Sequence, residues 1–210
     1  MNIYMTITWL GRSCFKIVHK GYSIVIDPYD NTGTGYPTLK TEANMVLVSH
    51  EHSRHNNRDA VNIIPFVGEC PFHVDVIDSW HDTRLGRMRG PNKIHVITTD
   101  DGIKIVHTGD QGCKIQSELF EDTDVLMIGC GSTRTMPSYD LSLLARDIDP
   151  SVLIPMHYQH DSIANRRLYH LDDLMEYFIG TEYEVINYDV NSIEITKGLP
   201  KQVAVLKDIV

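Results

Sequence analysis

The sequence predicts an α/β fold in which two β-sheets pack against each other with helices outside. Three observations predict it. The first fifty residues read almost entirely as strands. The later residues read as strands mixed with helices. Several apolar runs end directly on a residue able to carry chemistry: His50, His81, Asp110 and His157. The chain has 210 residues, enough for one domain (1–210) with a sizeable core, and no repeat, low-complexity segment or obvious linker divides it.

Taken in order, residues 3–10 (IYMTITWL) alternate as a half-buried strand does. Strands at 14–20 (CFKIVHK) and 22–27 (YSIVID) flank a tight hairpin signal at 19–22 (HKGY). Gly, Pro, Asn and Asp make 27–38 a loop, and its TGTGY is no phosphate-binding fingerprint because no strand–turn–helix surrounds it. Residues 44–49 (NMVLVS) form a short buried strand delivering His50, and 72–80 (FHVDVIDSW) alternate and deliver His81. Residues 93–99 and 103–110, joined by a DDG turn, read as a hairpin ending at Asp110. A buried strand follows at 124–129. Ser138 is an N-cap candidate for a helix over 139–148, which stops before Asp149-Pro150. Residues 152–158 are a strand carrying His157. An amphipathic helix over 171–180 closes at Gly180, and 183–198 read as a final hairpin.

Composition narrows the function. A net charge of −9 argues against general nucleic-acid or anionic-membrane binding, while leaving room for a local basic site. No apolar run is long enough for a membrane span, and the N-terminus lacks a basic segment followed by an apolar core. Cys14, Cys70, Cys113 and Cys130 are scattered, with no C-x-x-C pair, and are expected as free thiols in a reducing cytoplasm.

The chemistry concentrates at residues 50–55, where three histidines stand in six residues. His50 and His52, spaced by one residue at the end of a buried strand, can point at one metal while His55 faces a neighbouring position. The alternative is a solvated polar turn. His81, Asp110 and His157, repeating the same strand-end placement, favour metal: neutral imidazole suits Zn, Fe, Ni or Mn. His107 falls inside its strand and is expected in the core or behind the ligands. His19, His73, His95, His160 and His170 are expected on the surface or in packing.

These residues together resemble the metallo-β-lactamase superfamily, whose signature is His-x-His-x-Asp-His, a single His, Gly-Asp, and a late His. Here stand His50, His52, Arg54 and His55, then His81, Gly109-Asp110, and His157. With TWLGRSCFKI at 8–17, IDPY at 26–29 and IKIVHTGD, the match extends nearly end to end. It is similar to a branch of short metal-dependent hydrolases near the ascorbate-6-phosphate lactonase group. The resemblance implies an αββα sandwich with the metal site at its edge. It implies His50, His52 and His81 on a first metal, a bridging Asp110, and position 54, His55 and His157 on a second.

Arg54 departs from that pattern, standing where the family has Asp. A guanidinium has no lone pair to offer. At about 5 Å from a divalent metal it would add repulsion of roughly 6–7 kcal/mol at an effective dielectric near 20. Three readings are open: Arg54 holds an anionic substrate group beside a single metal, it marks a binding module without hydrolysis, or it points outward beside an ordinary two-metal site. Arg84, Arg87 and Arg89, in the loop after His81, are candidates for binding phosphate or carboxylate, or form a solvated loop face. Asp27 and Asp82 are candidates for orienting ligand histidines, or cap loops.

The expectation is therefore a cytoplasmic metal-dependent hydrolase with one or two ions, zinc first and Mn or Fe as alternatives. A metal-bound hydroxide would attack an ester, lactone, amide or phosphoester of a small, anionic substrate. Asp110 would orient the water, Arg54 stabilise negative charge and His157 serve as ligand or acid. The rival is a non-catalytic metal- or ligand-binding module on the same fold.

Overall fold

The computed structural model describes residues 4–159 and 168–210. His160 lies outside the described residues. Strand β1 (Met5–Gly11) alternates strictly, with Met5, Ile7 and Trp9 turned into the core. It pairs antiparallel with β2 (Cys14–His19), which pairs antiparallel with β3 (Tyr22–Ile26). The turn between β2 and β3 has positive φ at both Lys20 and Gly21, the twist that a two-residue hairpin needs. A short β4 (Thr41–Ala43) precedes β5 (Met45–Leu47), which lies parallel to β3. β6 (Val61–Ile63) pairs with β4 in a two-stranded ribbon that the sequence pattern did not reveal.

The second sheet begins with the long antiparallel pair β7 (Phe72–Trp80) and β8 (Pro91–Thr99) and continues through β9 (Lys104–His107), the expected hairpin partner of β8. β10 (Val125–Gly129) and β11 (Val152–Met156) are parallel and almost wholly buried, as near-continuous apolar runs require. The helix α1 (Ser138–Ile148) lies between them in the chain and α2 (Leu171–Met175) follows. The last strands are β12 (Glu184–Asn187), β13 (Ser192–Ile195) and β14 (Gln202–Val205).

Seven strands form one sheet in the order β12-β14-β11-β10-β9-β8-β7, and five form the other in the order β13-β1-β2-β3-β5. One continuous apolar cluster joins them, from Ile7, Phe15, Ile17 and Ile24 to Ile97, Ile105, Leu126 and Leu153. Leu141, Leu144 and Ile148 bring α1 onto the same cluster. The other face of the five-stranded sheet is covered by a separate cluster in which Tyr29, Tyr36 and Leu39 pack on Cys14 and Val25. The loop at 27–38 is thus part of the packing.

Three expectations need correction. Residues 183–198 are not a hairpin: β12 pairs with β14 in the seven-stranded sheet, while β13 crosses to pair with β1 in the other. Local alternation cannot report which sheet a strand joins. Ser138 is the first residue of α1, following Pro137 at the cap position, and its hydroxyl donates to the Cys130 carbonyl at 2.6 Å. The helix expected at 171–180 is one turn of α-helix continued by a 3-10 turn over Glu176–Phe178. The strand ends bearing His50, His81, Asp110 and His157 also come from both sheets, β5 in one and β7, β9 and β11 in the other. They meet where the sheets face each other at one edge of the sandwich.

At Gly112 that meeting leaves no spare room. The Gly112 N–H donates to the Trp80 carbonyl at 2.8 Å, and a Cβ at Gly112 would collide with the backbone of His81 and Asp82. Backbone cannot step aside as a flexible side chain can, so Gly112→Ala should lower stability by about 1–3 kcal/mol, the usual range for overpacking. A urea unfolding midpoint unchanged by this substitution would show that the 110–112 loop does not pack against the end of β7 as described.

Candidate metal centre

Asp27, at the end of β3, collects the histidine-bearing loop. Its carboxylate accepts from the Ser49 N–H at 2.7 Å and from the Ser49 hydroxyl at 2.6 Å, and lies 2.9 Å from His55 Nδ1. Burial works against its charge, but the bonds and charges of His55 and Ser49 outweigh it and hold the carboxyl well below the usual carboxylate range. With Nδ1 donating to Asp27, His55 keeps its lone pair on Nε2, which faces Asp110 Oδ2 at 3.5 Å. Ser49 also contacts His50 Nδ1 at 3.0 Å. Asp27 thus orients His55 directly and His50 through Ser49. Asp82 instead accepts backbone N–H groups of Arg84, Met88 and Arg89 and caps their loop.

Asp110 stands at the centre. Asn92 Oδ1 accepts its backbone N–H at 3.1 Å, and the Asn92 amide donates to the Thr108 carbonyl at 2.9 Å, so the turn after β9 is braced from β8. His81 Nε2 lies 3.1 Å from Asp110 Oδ2, and His157 Nδ1 lies 3.1 Å from Oδ1. Desolvation opposes the charge here too, but His157, His55 and His81 keep the carboxyl far below its ordinary value. His50, His81 and Asp110 place donor atoms within 4.8 Å of one another, and so do His55, Asp110 and His157. The imidazoles of His50 and His55 are 4.1 Å apart between centroids, and those of His50 and His81 4.7 Å. His52 stands further out, exposed, with its ring 6.1 Å from that of His50.

The donor set fits a metal ion. His50 Nε2 is buried and has no hydrogen-bond partner among the described residues. Such an atom is costly unless something fills the space in front of it. Burial lowers the pKa of His50 to about 3, so its imidazole is neutral, the state a metal requires. His107, by contrast, uses both nitrogens: Nε2 donates to the Ser13 carbonyl at 2.9 Å, and Nδ1 accepts from the Gly109 N–H at 3.2 Å. It supports the Asp110 turn from the core.

A cavity of about 420 Å³ opens above these candidate ligands. His50, His52, His55, His81, Asp110 and His157 line it together with Arg12, Arg54, Arg89 and Arg134. Arg54 therefore lines the cavity, and its backbone N–H donates to His52 Nδ1 at 3.3 Å. Of the three loop arginines only Arg89 is among the lining residues. Sequence reasoning missed Arg12 and Arg134. Arg12 stands in TWLGRSC, where its adjacency to Gly11 at a strand end is the available signal. His19, expected on the surface or in packing, is buried; its Nε2 lies 3.1 Å from Asp100 Oδ1, and Lys20 binds Asp100 Oδ2 at 2.6 Å. The four cysteines are free thiols, with Cys14 and Cys130 buried.

Residues 6–157 match the Beta-lactamase superfamily domain. The chain belongs to that superfamily. A UPF0173 metal-dependent hydrolase of Methanobrevibacter smithii is 29% identical, over 73% of this chain and 82% of that protein. One from Pelotomaculum thermopropionicum is 27% identical, over 73% and 84%. Among solved structures, a Thermotoga maritima protein assigned to the zinc-dependent hydrolases of the superfamily superposes with a TM-score of 0.70 at 27% identity, covering 96% of this chain and 98% of that one. A metallo-β-lactamase fold protein from Bacillus subtilis, at 15% identity, shares the fold with a TM-score of 0.63 over 97% of each chain. The relatives place this superfamily member among the short metal-dependent hydrolases, and the candidate ligand groups agree with them. Among the described residues no helix is long and apolar enough to cross a membrane.

The buried histidines make stability pH-dependent. Burial depresses His50 and His157 to about 3 and His95 to about 4, below the value of about 6.5 they regain on unfolding. Below that value the unfolded chain binds more protons than the folded one, so stability is lost as pH falls from about 6.5 toward 3. Metal-free protein should lose at least about 2 kcal/mol between pH 7.5 and pH 5, the share of one such histidine. Urea titrations at the two pH values measure this, and equal midpoints would mean that these rings are protonated in the fold.

Proposed function

We propose that the protein is a hydrolase using a single metal ion, zinc by preference, on an anionic small molecule with an ester, lactone, amide or phosphoester bond. The carrying observation is the buried, unpartnered His50 Nε2, grouped with donor atoms of His81 and Asp110 at the floor of a cavity lined by arginines. His50, His81 and Asp110 would hold the ion, with His52 on the cavity wall as the further donor. An ion bound there supplies a Lewis acid and activates water at neutral pH.

The remaining work belongs to the chain. Asp110 accepts hydrogen bonds and orients what binds beside it. Arg54 and Arg89 are cationic at any working pH and present planar forks that match phosphate or carboxylate. In a cavity partly shielded from water they stabilise negative charge on the substrate and charge that develops during bond cleavage. His157, considered above as an acid, is neutral and already engaged on both nitrogens, so it serves to position its neighbours.

The test is a comparison of zinc-loaded and chelated protein on a small set of activated esters and phosphodiesters, some anionic and some neutral. Hydrolysis should require the metal. Arg54→Ala should raise KM for an anionic substrate about tenfold, equivalent to ~1.4 kcal/mol, and change a neutral ester far less. Tight metal binding without turnover of any member of the set would favour the non-catalytic module instead.

A further inference from the structure

Arg12 occupies an unusual place. Gly11, with φ of 103°, and Arg12, with φ of 55°, make the turn between β1 and β2. A side chain at Gly11 would strike the Tyr36 ring at 2.6 Å, so the turn is pressed against that ring and cannot shift outward. The Arg12 carbonyl accepts from the Trp9 indole Nε1 at 2.8 Å and from the His157 N–H at 3.1 Å. The side chain is only 5% exposed, and its Nη2 donates to His157 Nε2 at 2.8 Å. Arg54 can swing its stem toward solvent, whereas Arg12 is pinned by its backbone on both sides.

We infer that Arg12 is the built-in cation of the second metal position: it holds His157 by the lone pair a second ion would need. This deepens the single-metal reading above and rests on it. A guanidinium only donates, so His157 Nε2 must be the acceptor, and the proton of the neutral ring then sits on Nδ1, beside Asp110. Neither nitrogen is left to ligate. A metal about 2.0–2.1 Å from Nε2 and a guanidinium nitrogen on the same lone pair exclude each other. Without His157, the second position keeps only His55 and a share of Asp110. Arg12 faces the Asp110 charge that a second ion would otherwise balance. Its Nε, buried and without a partner among the described residues, is available to an anion entering the cavity it lines.

Arg12 is thus a positioning residue for His157 and a determinant of metal count. The experiment is equilibrium dialysis against zinc, followed by metal analysis, on unmodified protein, Arg12→Ala, Arg12→Gln and Arg54→Gln. Unmodified protein and Arg54→Gln should hold one ion per chain, while the Arg12 variants, with His157 released, should approach two. Two ions in unmodified protein, or one ion in folded Arg12 variants, would overturn the inference. Should the Arg12 variants not fold, histidine ring nitrogen NMR on unmodified protein decides. On adding zinc, His50 and His81 should shift to metal-bound positions, while His157 keeps its proton on Nδ1 and a metal-free Nε2. A metal-bound His157 would refute the role of Arg12 and the single-ion count while leaving metal-dependent hydrolysis intact. Failure to bind any zinc would refute the hydrolase reading, and the inference with it.

Discussion

The carboxylate of Asp110 is buried between side chains from both sheets, and a buried negative charge is tolerated only where cations and donors surround it. That requirement shapes the edge of the sandwich. His55 comes from the loop after β5, His81 from the end of β7, His157 from the end of β11 and Arg12 from the first hairpin. Each is held by its own brace. Asp27 and Ser13 fix His55, the backbone bond to Gly90 fixes His81, and Arg12 fixes His157. The rigidity of the two-sheet core places these groups within contact of one carboxylate, and the site inherits that precision.

Charge explains why the site differs from the pattern its superfamily resemblance implies. The chain carries a net charge of −9, yet its cavity is lined by four arginines. The small anionic substrate proposed above fits that contrast between an acidic chain and an arginine-lined cavity. Arg54 removes a carboxylate ligand from the second position, and Arg12 removes an imidazole. Both act in the same direction, setting cations of the chain itself where a second ion would sit. Guanidinium groups need no loading and cannot be chelated, but they bring no water to the bond.

Much of this was legible along the chain, for a physical reason. His50, His81, Asp110 and His157 follow apolar runs, and buried strands end where polar residues begin, so their convergence at one edge could be read. His107 was separable because strand phase placed it inward, and both its nitrogens prove to be satisfied there. Arg12 could not be read in the same way. Its partner His157 is 145 positions away, and only the closing of one sheet on the other brings them together. The pairing of β13 with β1 was hidden similarly, since β12 and β13 alternate like two arms of a hairpin while belonging to different sheets. Local pattern reports which face of a strand is buried. It does not report its neighbour.

The most direct measurement is a crystal structure of zinc-loaded protein with anomalous scattering recorded at the zinc edge. The account predicts one peak, within bonding distance of His50, His81 and Asp110, with the Arg12 guanidinium still on His157. A second peak between His55, Asp110 and His157, with Arg12 displaced from the imidazole, would contradict it.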